Sequence, residues 1–194
     1  MGMKKLSKKE RHKALVKAIE EDPFKTDQEL ANMFNVSIQT IRLDRMELRI
    51  PEVRKRTRKL AKEAYSKIKS MRDVDVIGDL VEVNLNKNGK SIFTPQPEMT
   101  FKGKDIVRGH YIFAHANSLA VAIIDANVAM TGFSHIKFIR PVRLGDRLVA
   151  KAHVVRSKNH RFFVRVYTHV GDQLVFKGKF IVYALDNHKF LKEN

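Results

Sequence analysis

The 194-residue sequence contains no cysteine. That excludes disulfides, thiol nucleophiles and cysteine-based zinc sites, and it removes the usual mark of a secreted chain, so a cytoplasmic protein is expected. A long apolar run is also missing. The strongest stretch, residues 112–124, is interrupted by His115, Asn117 and Ser118 and is shorter than the roughly 20 residues a membrane helix needs, so no membrane segment is expected. No glycine-rich phosphate loop appears. Met1-Gly2 is the start of an N-myristoylation signal, but Leu6 stands where that signal wants Ser or Thr, and the first few residues read as a disordered start. Acid is in short supply: Asp and Glu number 21 against 38 Lys and Arg, a net charge of +17. Such an excess favours a polyanionic partner, either nucleic acid or phosphorylated metabolites.

What is present is an ordinary globular mix, 43% apolar and 30% charged, in a chain long enough for one large domain or two small ones. Residues 1–72 hold 20 Lys/Arg against 10 Asp/Glu, show helical periodicity and have no glycine after Gly2. From Val74 onward glycines recur and β-branched and aromatic residues alternate with polar ones. A boundary near residue 73 follows. No internal repeat is visible, and residues 54–59 are the one short basic run.

Three helices are legible at the basic end. Ser7 is an N-cap for a helix to Glu21, with Leu15, Val16 and Ile19 on its apolar face and Pro23 stopping it. Thr26-Asp27-Gln28-Glu29 has the form of a capping box, which starts a short helix over residues 27–34. Asn35-Val36-Ser37 is a tight turn, and Ser37 caps a third helix from Ile38 to about Leu48. Ile41 and Leu48 would anchor that helix, leaving Gln39, Thr40, Arg42 and Arg45 outward near its start. Glutamine pairs with adenine edges and arginine with guanine edges in the major groove, which makes this a candidate reading helix. The alternative is a helical bundle with a solvated polar face. Thr26-Asp27-Gln28-Glu29-Leu30-Ala31 and Val36-Ser37-Ile38-Gln39-Thr40-Ile41-Arg42-Leu43-Asp44 resemble the DeoR-type helix-turn-helix.

Residues 52–71 return to helical spacing. Val53, Leu60, Ala64, Ile68 and Met71 form a narrow apolar stripe opposite Arg54, Lys55, Arg58, Lys59, Lys62 and Lys69. One reading is a solvated linker. The other is a helix that chooses among self-pairing, docking on the following domain and lying against phosphates, with Arg54, Lys55 and Lys59 as DNA contacts.

The remainder reads as an antiparallel sheet around one helix. Residues 74–84 and 91–101 flank Asn88-Gly89, a hairpin signal, and residues 132–142, 147–157, 160–170 and 173–183 add four strands. Residues 110–124 are helical and apolar nearly all round, so they must be wrapped on most sides. A central helix rolled in a curved antiparallel sheet is the hot-dog architecture. The fold class is therefore α+β: a helix-turn-helix domain over residues 1–51, a linker helix over 52–73 and a hot-dog domain over 74–194.

Residues 138–146, Phe-Ile-Arg-Pro-Val-Arg-Leu-Gly-Asp, resemble the strand and turn of acyl-CoA thioesterase and dehydratase hot-dog domains, and Arg108-Gly109-His110 leads into the central helix. The whole chain resembles the FapR family, bacterial repressors of fatty acid and phospholipid synthesis genes. The resemblance implies a homodimer that binds operator DNA and releases it when malonyl-CoA fills the hot-dog domain, with Arg108 and Asn117 holding the malonyl group.

The residues themselves bear on binding against catalysis. Hot-dog thioesterases need an Asp or Glu base on or opposite the helix, whereas the helix interior here offers Asn117, which cannot deprotonate water but does bind a carbonyl or carboxylate. Asp125 is the one nearby carboxylate, and it keeps open an acyl-CoA thioesterase with a DNA-binding appendage. A third reading is a hot-dog module serving only dimerisation. Arg108 is either a surface arginine or a bidentate partner for the free carboxylate that separates malonyl-CoA from acetyl-CoA, a choice the family resemblance tips to the second, and Gly109 lets backbone approach a ligand closely. Phe101 is either a lining residue or core. Arg140, Arg143 and Arg147 are either coenzyme A phosphate contacts or a solvated edge. His110, His115 and His135 invite a metal reading, but the one regular helical pair lacks the glutamate and third ligand of a known zinc motif, so they read as core or surface residues.

Overall fold

The computed structural model describes residues 6–185, the side chains of Thr57, Arg58, Lys59, Lys62 and Asp73 excepted. The Met1-Gly2 signal thus lies outside the described residues. Two compact units emerge, Met1–Lys59 and Leu60–Asn194. The division falls inside the linker helix, between the sequence boundaries at residues 51 and 73.

In the first unit local chemistry sets every helix start. Ser7 caps α1 (Lys8–Glu21) and Thr26 caps α2 (Asp27–Phe34), each closing a capping box with the glutamate three residues on. Ser37 caps α3 (Ile38–Glu47) by accepting from the Thr40 amide. Asn35 ends α2 in the left-handed region, at φ 50°, so only three residues separate the two helices. Leu15, Ala18, Ile19, Leu30, Ala31 and Ile41 fill the core between them.

The linker helix α4 (Val53–Tyr65) stops six residues short of the expected Met71. Beyond it the chain turns through Lys67–Ala64 and Ile68–Tyr65 backbone bonds, and Ala64, Tyr65, Ile68 and Met71 pack into the core of the second unit. Tertiary packing overrides the helical spacing.

The second unit is one six-stranded antiparallel sheet, in the order β1-β2-β4-β5-β6-β3, curved round α5 (Gly109–Ala122). The strands are β1 (Asp79–Asn84), β2 (Asn88–Phe93), β3 (Ala129–Phe138), β4 (Leu148–Lys158), β5 (Arg161–Val170) and β6 (Gln173–Ala184). Ala116, Leu119, Ala120 and Ile123 of the α5 region are fully buried against Leu148, Ala150, Ala152, Val166, Phe176 and Val182 from the sheet. This is the hot-dog arrangement.

Asn88-Gly89 is not the turn. The turn is residues 85–87, with Asn86 at φ 58°, and Asn88 and Gly89 already pair with β1 and β4. Gly89 is small for a different reason: a Cβ there would run into Ile123 and Leu119. Asn86 in turn closes the end of the central helix, its amide donating to the Ile123 carbonyl (2.7 Å) and its side-chain oxygen accepting from the Asp125 amide (3.0 Å). No helix among the described residues is long and apolar enough to cross a membrane.

Candidate functional sites

The first candidate is the outer face of α3. Gln39 and Arg42 are exposed there, with Arg42 3.8 Å from the Asp27 carboxylate. Ser37 and Thr40 share a 2.9 Å hydroxyl contact that completes the cap, so both have a structural task at the helix start. Arg45 is a correction. It is 5% exposed, makes two short bonds to Asp27 (2.6 and 2.7 Å) and donates to the Ile50 carbonyl, so it ties α3 to α2 and to the following chain instead of facing outward. Asp44, one position earlier, is buried beneath Arg11 (2.6 Å) and His12 (2.9 Å). Burial works to raise its carboxyl, but hydrogen bonds from those two residues outweigh it and hold it below the usual carboxylate value.

Two residues missed in the sequence are Leu43 and Met46, 61% and 72% exposed and spaced four and seven positions after Gln39. They continue its face of the helix, and side chains of this kind suit thymine methyl groups. The (i, i+4, i+7) spacing was the available signal. On α4, Arg54 and Lys55 are exposed, and Lys59 lies outside the described side chains. Arg56, which no pattern singled out, is buried and donates to the carbonyls of Pro23, Lys25 and Pro51, so the first turn of α4 belongs to the helical unit.

The second candidate lies at the amino end of α5. A cleft of about 310 Å³ is lined by Val107, Gly109, Ile112, Phe138, Ile139, Arg140, Pro141 and Val142. Gly109 faces the ring of Phe138, which a Cβ would press at 3.1 Å. Phe138 is 46% exposed and stacks edge-on against Phe176. Arg108 is the N-cap residue of α5, and its guanidinium is half-buried among neutral groups. Nη2 donates to the Glu98 carbonyl (2.6 Å) and to the Tyr111 hydroxyl (3.2 Å), Nε donates to the Met99 carbonyl (3.4 Å), and the group lies over the Tyr111 ring. No carboxylate among the described residues pairs with it.

The other residues distribute unevenly. Asn117 accepts from the Thr131 hydroxyl at 2.7 Å, beside β3. It stands nine residues after Arg108, which in an α-helix is about 13.5 Å along the axis and half a turn round it, so one chain does not bring the two together on one small group. Phe101 is 53% exposed, neither core nor part of the cleft lining. Arg143 pairs with Asp105 at 2.7 Å, while Arg140 borders the cleft. Asp125 follows the opposite end of α5 and is bound to Lys69 at 2.7 Å. His115 is wholly buried, 2.6 Å from the Ser91 hydroxyl, and burial pushes it down to about 3, so it is a neutral core residue. No cluster of three or more potential metal ligands occurs among the described residues.

Residues 104–177 match the Thioesterase superfamily. The chain is 49% identical over 189 residues to the transcription factor FapR of Thermoanaerobacter sp. strain X514, spanning 97% of this chain and 94% of that one. The chain belongs to the FapR family. Members from Caldanaerobacter subterraneus (50%, 97% of this chain, 94% of theirs) and Bacillus cereus (47%, 95% of each) agree over nearly the full length. Among solved structures, a sigma28-regulated virulence protein of Campylobacter jejuni superposes with a TM-score of 0.63 at 26% identity, over 68% of this chain and 94% of its own. The Escherichia coli PaaI protein shares the fold alone, with a TM-score of 0.52 at 17% identity over 56% of this chain and 79% of its own. For this FapR family member the two solved structures cover 68% and 56% of the chain, whereas the FapR relatives extend over nearly all of it, the helical unit included.

Proposed function

We propose that this FapR family member is a cytoplasmic, homodimeric repressor that binds operator DNA of fatty acid and phospholipid synthesis genes and is released by malonyl-CoA. The observation that carries the effector reading is Arg108: a half-buried guanidinium one residue before Gly109 of the cleft lining, held among the described residues by neutral acceptors. A half-buried cation without a counter-ion favours an anionic ligand, and the terminal carboxylate of a malonyl thioester fits a planar two-pronged donor. Gly109 leaves the cleft open to the thioester arm.

The dimer follows from the edge of the sheet. β3 is a ten-residue edge strand with Met130 and Phe133 more than half exposed, the kind of open edge that pairs with another copy. Asn117 sits beside that edge through Thr131. With β3 paired to β3, Asn117 of a second copy is the amide that meets the group held by Arg108, which reconciles the two residues with their separation on one helix.

DNA is held by α3 through Gln39, Arg42, Leu43 and Met46, with phosphate contacts from Arg54 and Lys55. Malonyl-CoA binds as an effector and not as a substrate. What weighs against the thioesterase alternative is that Asp125 follows the far end of α5 from the cleft and its carboxylate is engaged by Lys69. The test is a gel shift on a palindromic operator with malonyl-CoA, acetyl-CoA and free coenzyme A. Release by malonyl-CoA alone is expected. Indifference to all three leaves only a dimerisation module, and hydrolysis of either thioester above the buffer rate moves the protein to the enzymes.

A further inference from the structure

The strands β3, β4, β5 and β6 contain eight Lys and Arg, three His and not one Asp or Glu. Their register collects these charges on the face turned away from α5. One row across the sheet is Lys151, Tyr167, Lys177 and Lys137, each directly opposite the next. The adjacent row on that face is His153, Arg165, Lys179 and His135. The residues between the rows, Ala152, Val166, Gly178 and Ile136, point to the core, and Ala152, Val166 and Gly178 are buried. Lys137, Lys151, Arg165, Lys177 and Lys179 are exposed, and none has a carboxylate partner among the described residues.

Like charges set directly opposite each other destabilise a sheet, and two such pairs, Lys177 with Lys137 and Arg165 with Lys179, occur side by side. A fold needs none of them at these positions. His135, Lys137, Arg165, Lys177 and Lys179 line a depression of about 330 Å³ together with Tyr167. We infer that this outer face is a second DNA-binding surface, which holds the phosphate backbone of a duplex without reading sequence. The rows extend over about 14 Å across the strands and about 7 Å along them, an area carrying more positive charge than a single phosphate group neutralises. Duplex DNA is favoured over a single strand because Tyr167 is half-buried between Lys151 and Lys177, and the rings of His153 and His135 stand at opposite ends of their row, about 14 Å apart, so the rows offer no continuous stacking platform. On one side the rows adjoin Phe133, Val155, Phe163 and Ile181, so a lipid surface is the competing occupant that the test below distinguishes.

The inference stands on the hot-dog unit alone and not on recognition of an operator, so its test uses the full-length protein and a random-sequence duplex. Affinity is measured by anisotropy across a salt series for wild type and for the combined Lys151→Gln, Lys177→Gln, Lys179→Gln variant. The slope of log affinity against log salt is expected to become shallower by about 2 to 3, close to one unit for each phosphate that is no longer neutralised. The thermal midpoint of the free variant is expected to stay level or rise, since repulsion is relieved and nothing buried is removed. Gln39→Ala is expected to leave this slope unchanged, which separates the face from the reading helix. Equal slopes for variant and wild type overturn the inference. So does a variant whose duplex binding is intact but which loses binding to a single-stranded oligonucleotide or to phosphatidylglycerol vesicles. If the slope falls in the variant while wild type never prefers an operator, the repressor reading fails and this surface remains.

Discussion

Replacing Arg108 by alanine separates charge recognition from simple occupancy of the cleft. The guanidinium loses only neutral partners, the Glu98 and Met99 carbonyls and the Tyr111 hydroxyl, and no carboxylate among the described residues is left unpaired. The fold should therefore lose little. Malonyl-CoA loses a partly desolvated charge-paired contact, worth about 2 to 5 kcal/mol, which is a weakening of about 30-fold to several thousandfold. Acetyl-CoA has no terminal carboxylate and should bind wild type and variant alike. Calorimetric titration of both ligands into both proteins closes a cycle in which the coupling belongs to the carboxylate alone. In the gel shift, Arg108→Ala should hold the operator through malonyl-CoA concentrations that clear wild type. Gly109→Val should give the same uninducible repressor by a steric route, because its side chain enters the Phe138 ring. Equal weakening of malonyl-CoA and acetyl-CoA by Arg108→Ala refutes the assignment, whatever its size.

Arg45→Ala should destabilise the helical unit by about 3 kcal/mol in urea unfolding, as expected for breaking a largely buried ion pair, while leaving the ratio of operator to random-DNA affinity unchanged. Gln39→Ala should do the reverse, costing about 1 to 3 kcal/mol of discrimination with no change in unfolding midpoint. His115 is pushed down to about 3 when folded, so the unfolded chain takes up its proton first; stability is level above about pH 6.5 and falls as pH drops toward 3. Between pH 7.5 and 5 the loss should be about 2 kcal/mol, and a His115→Gln protein, though less stable throughout, should lack that part of the slope. Phe133→Glu, at the open edge of the sheet, should shift the protein toward monomer in sedimentation and blunt malonyl-CoA release, and an unchanged dimer would show that β3 is not the interface.

Legibility in the sequence followed the range of the interactions involved. The caps at Ser7, Thr26 and Ser37, the left-handed Asn35 and the strands beginning near residues 147, 160 and 173 rest on rules that span a few residues, and the sequence carries them. Arg45 does not obey such a rule. Periodicity puts it outward, but Asp27 on another helix draws it in. The end of α4 fails for the same reason, since Tyr65, Ile68 and Met71 are claimed by a core whose residues run from Val76 to Ala184. Gly89 looked like a turn residue because its true constraint, the close approach of Ile123, is distant in sequence. At the proposed effector site Arg108 and Gly109 are neighbours at the start of α5, with Gly109 lining the cleft, whereas Asn117 stands on the other side of the helix. That separation was countable, because nine residues is two and a half turns.

The same geometry limits how a ligand at Arg108 can influence α3. The cleft belongs entirely to the hot-dog unit and the reading face entirely to the helical unit. The element common to both is α4: Arg56 in its first turn is bound to carbonyls of the helical unit, while Ala64 and Tyr65 near its end, followed by Ile68 and Met71, pack into the hot-dog core. Ala64 is small and Tyr65, Ile68 and Met71 are only partly buried, so their docking is a contact of modest energy that a ligand can bias. Taking a population from almost all DNA-competent to almost none needs about 5.5 kcal/mol of differential affinity, and a carboxylate contact at Arg108 of about 2 to 5 kcal/mol would supply a large share of it. Because coupling is reciprocal, operator DNA must weaken malonyl-CoA binding by the factor by which malonyl-CoA weakens DNA. Ile68→Glu should reduce both factors together while leaving each ligand's affinity for the isolated protein near normal; a change in only one of them would mean that the coupling does not run through α4.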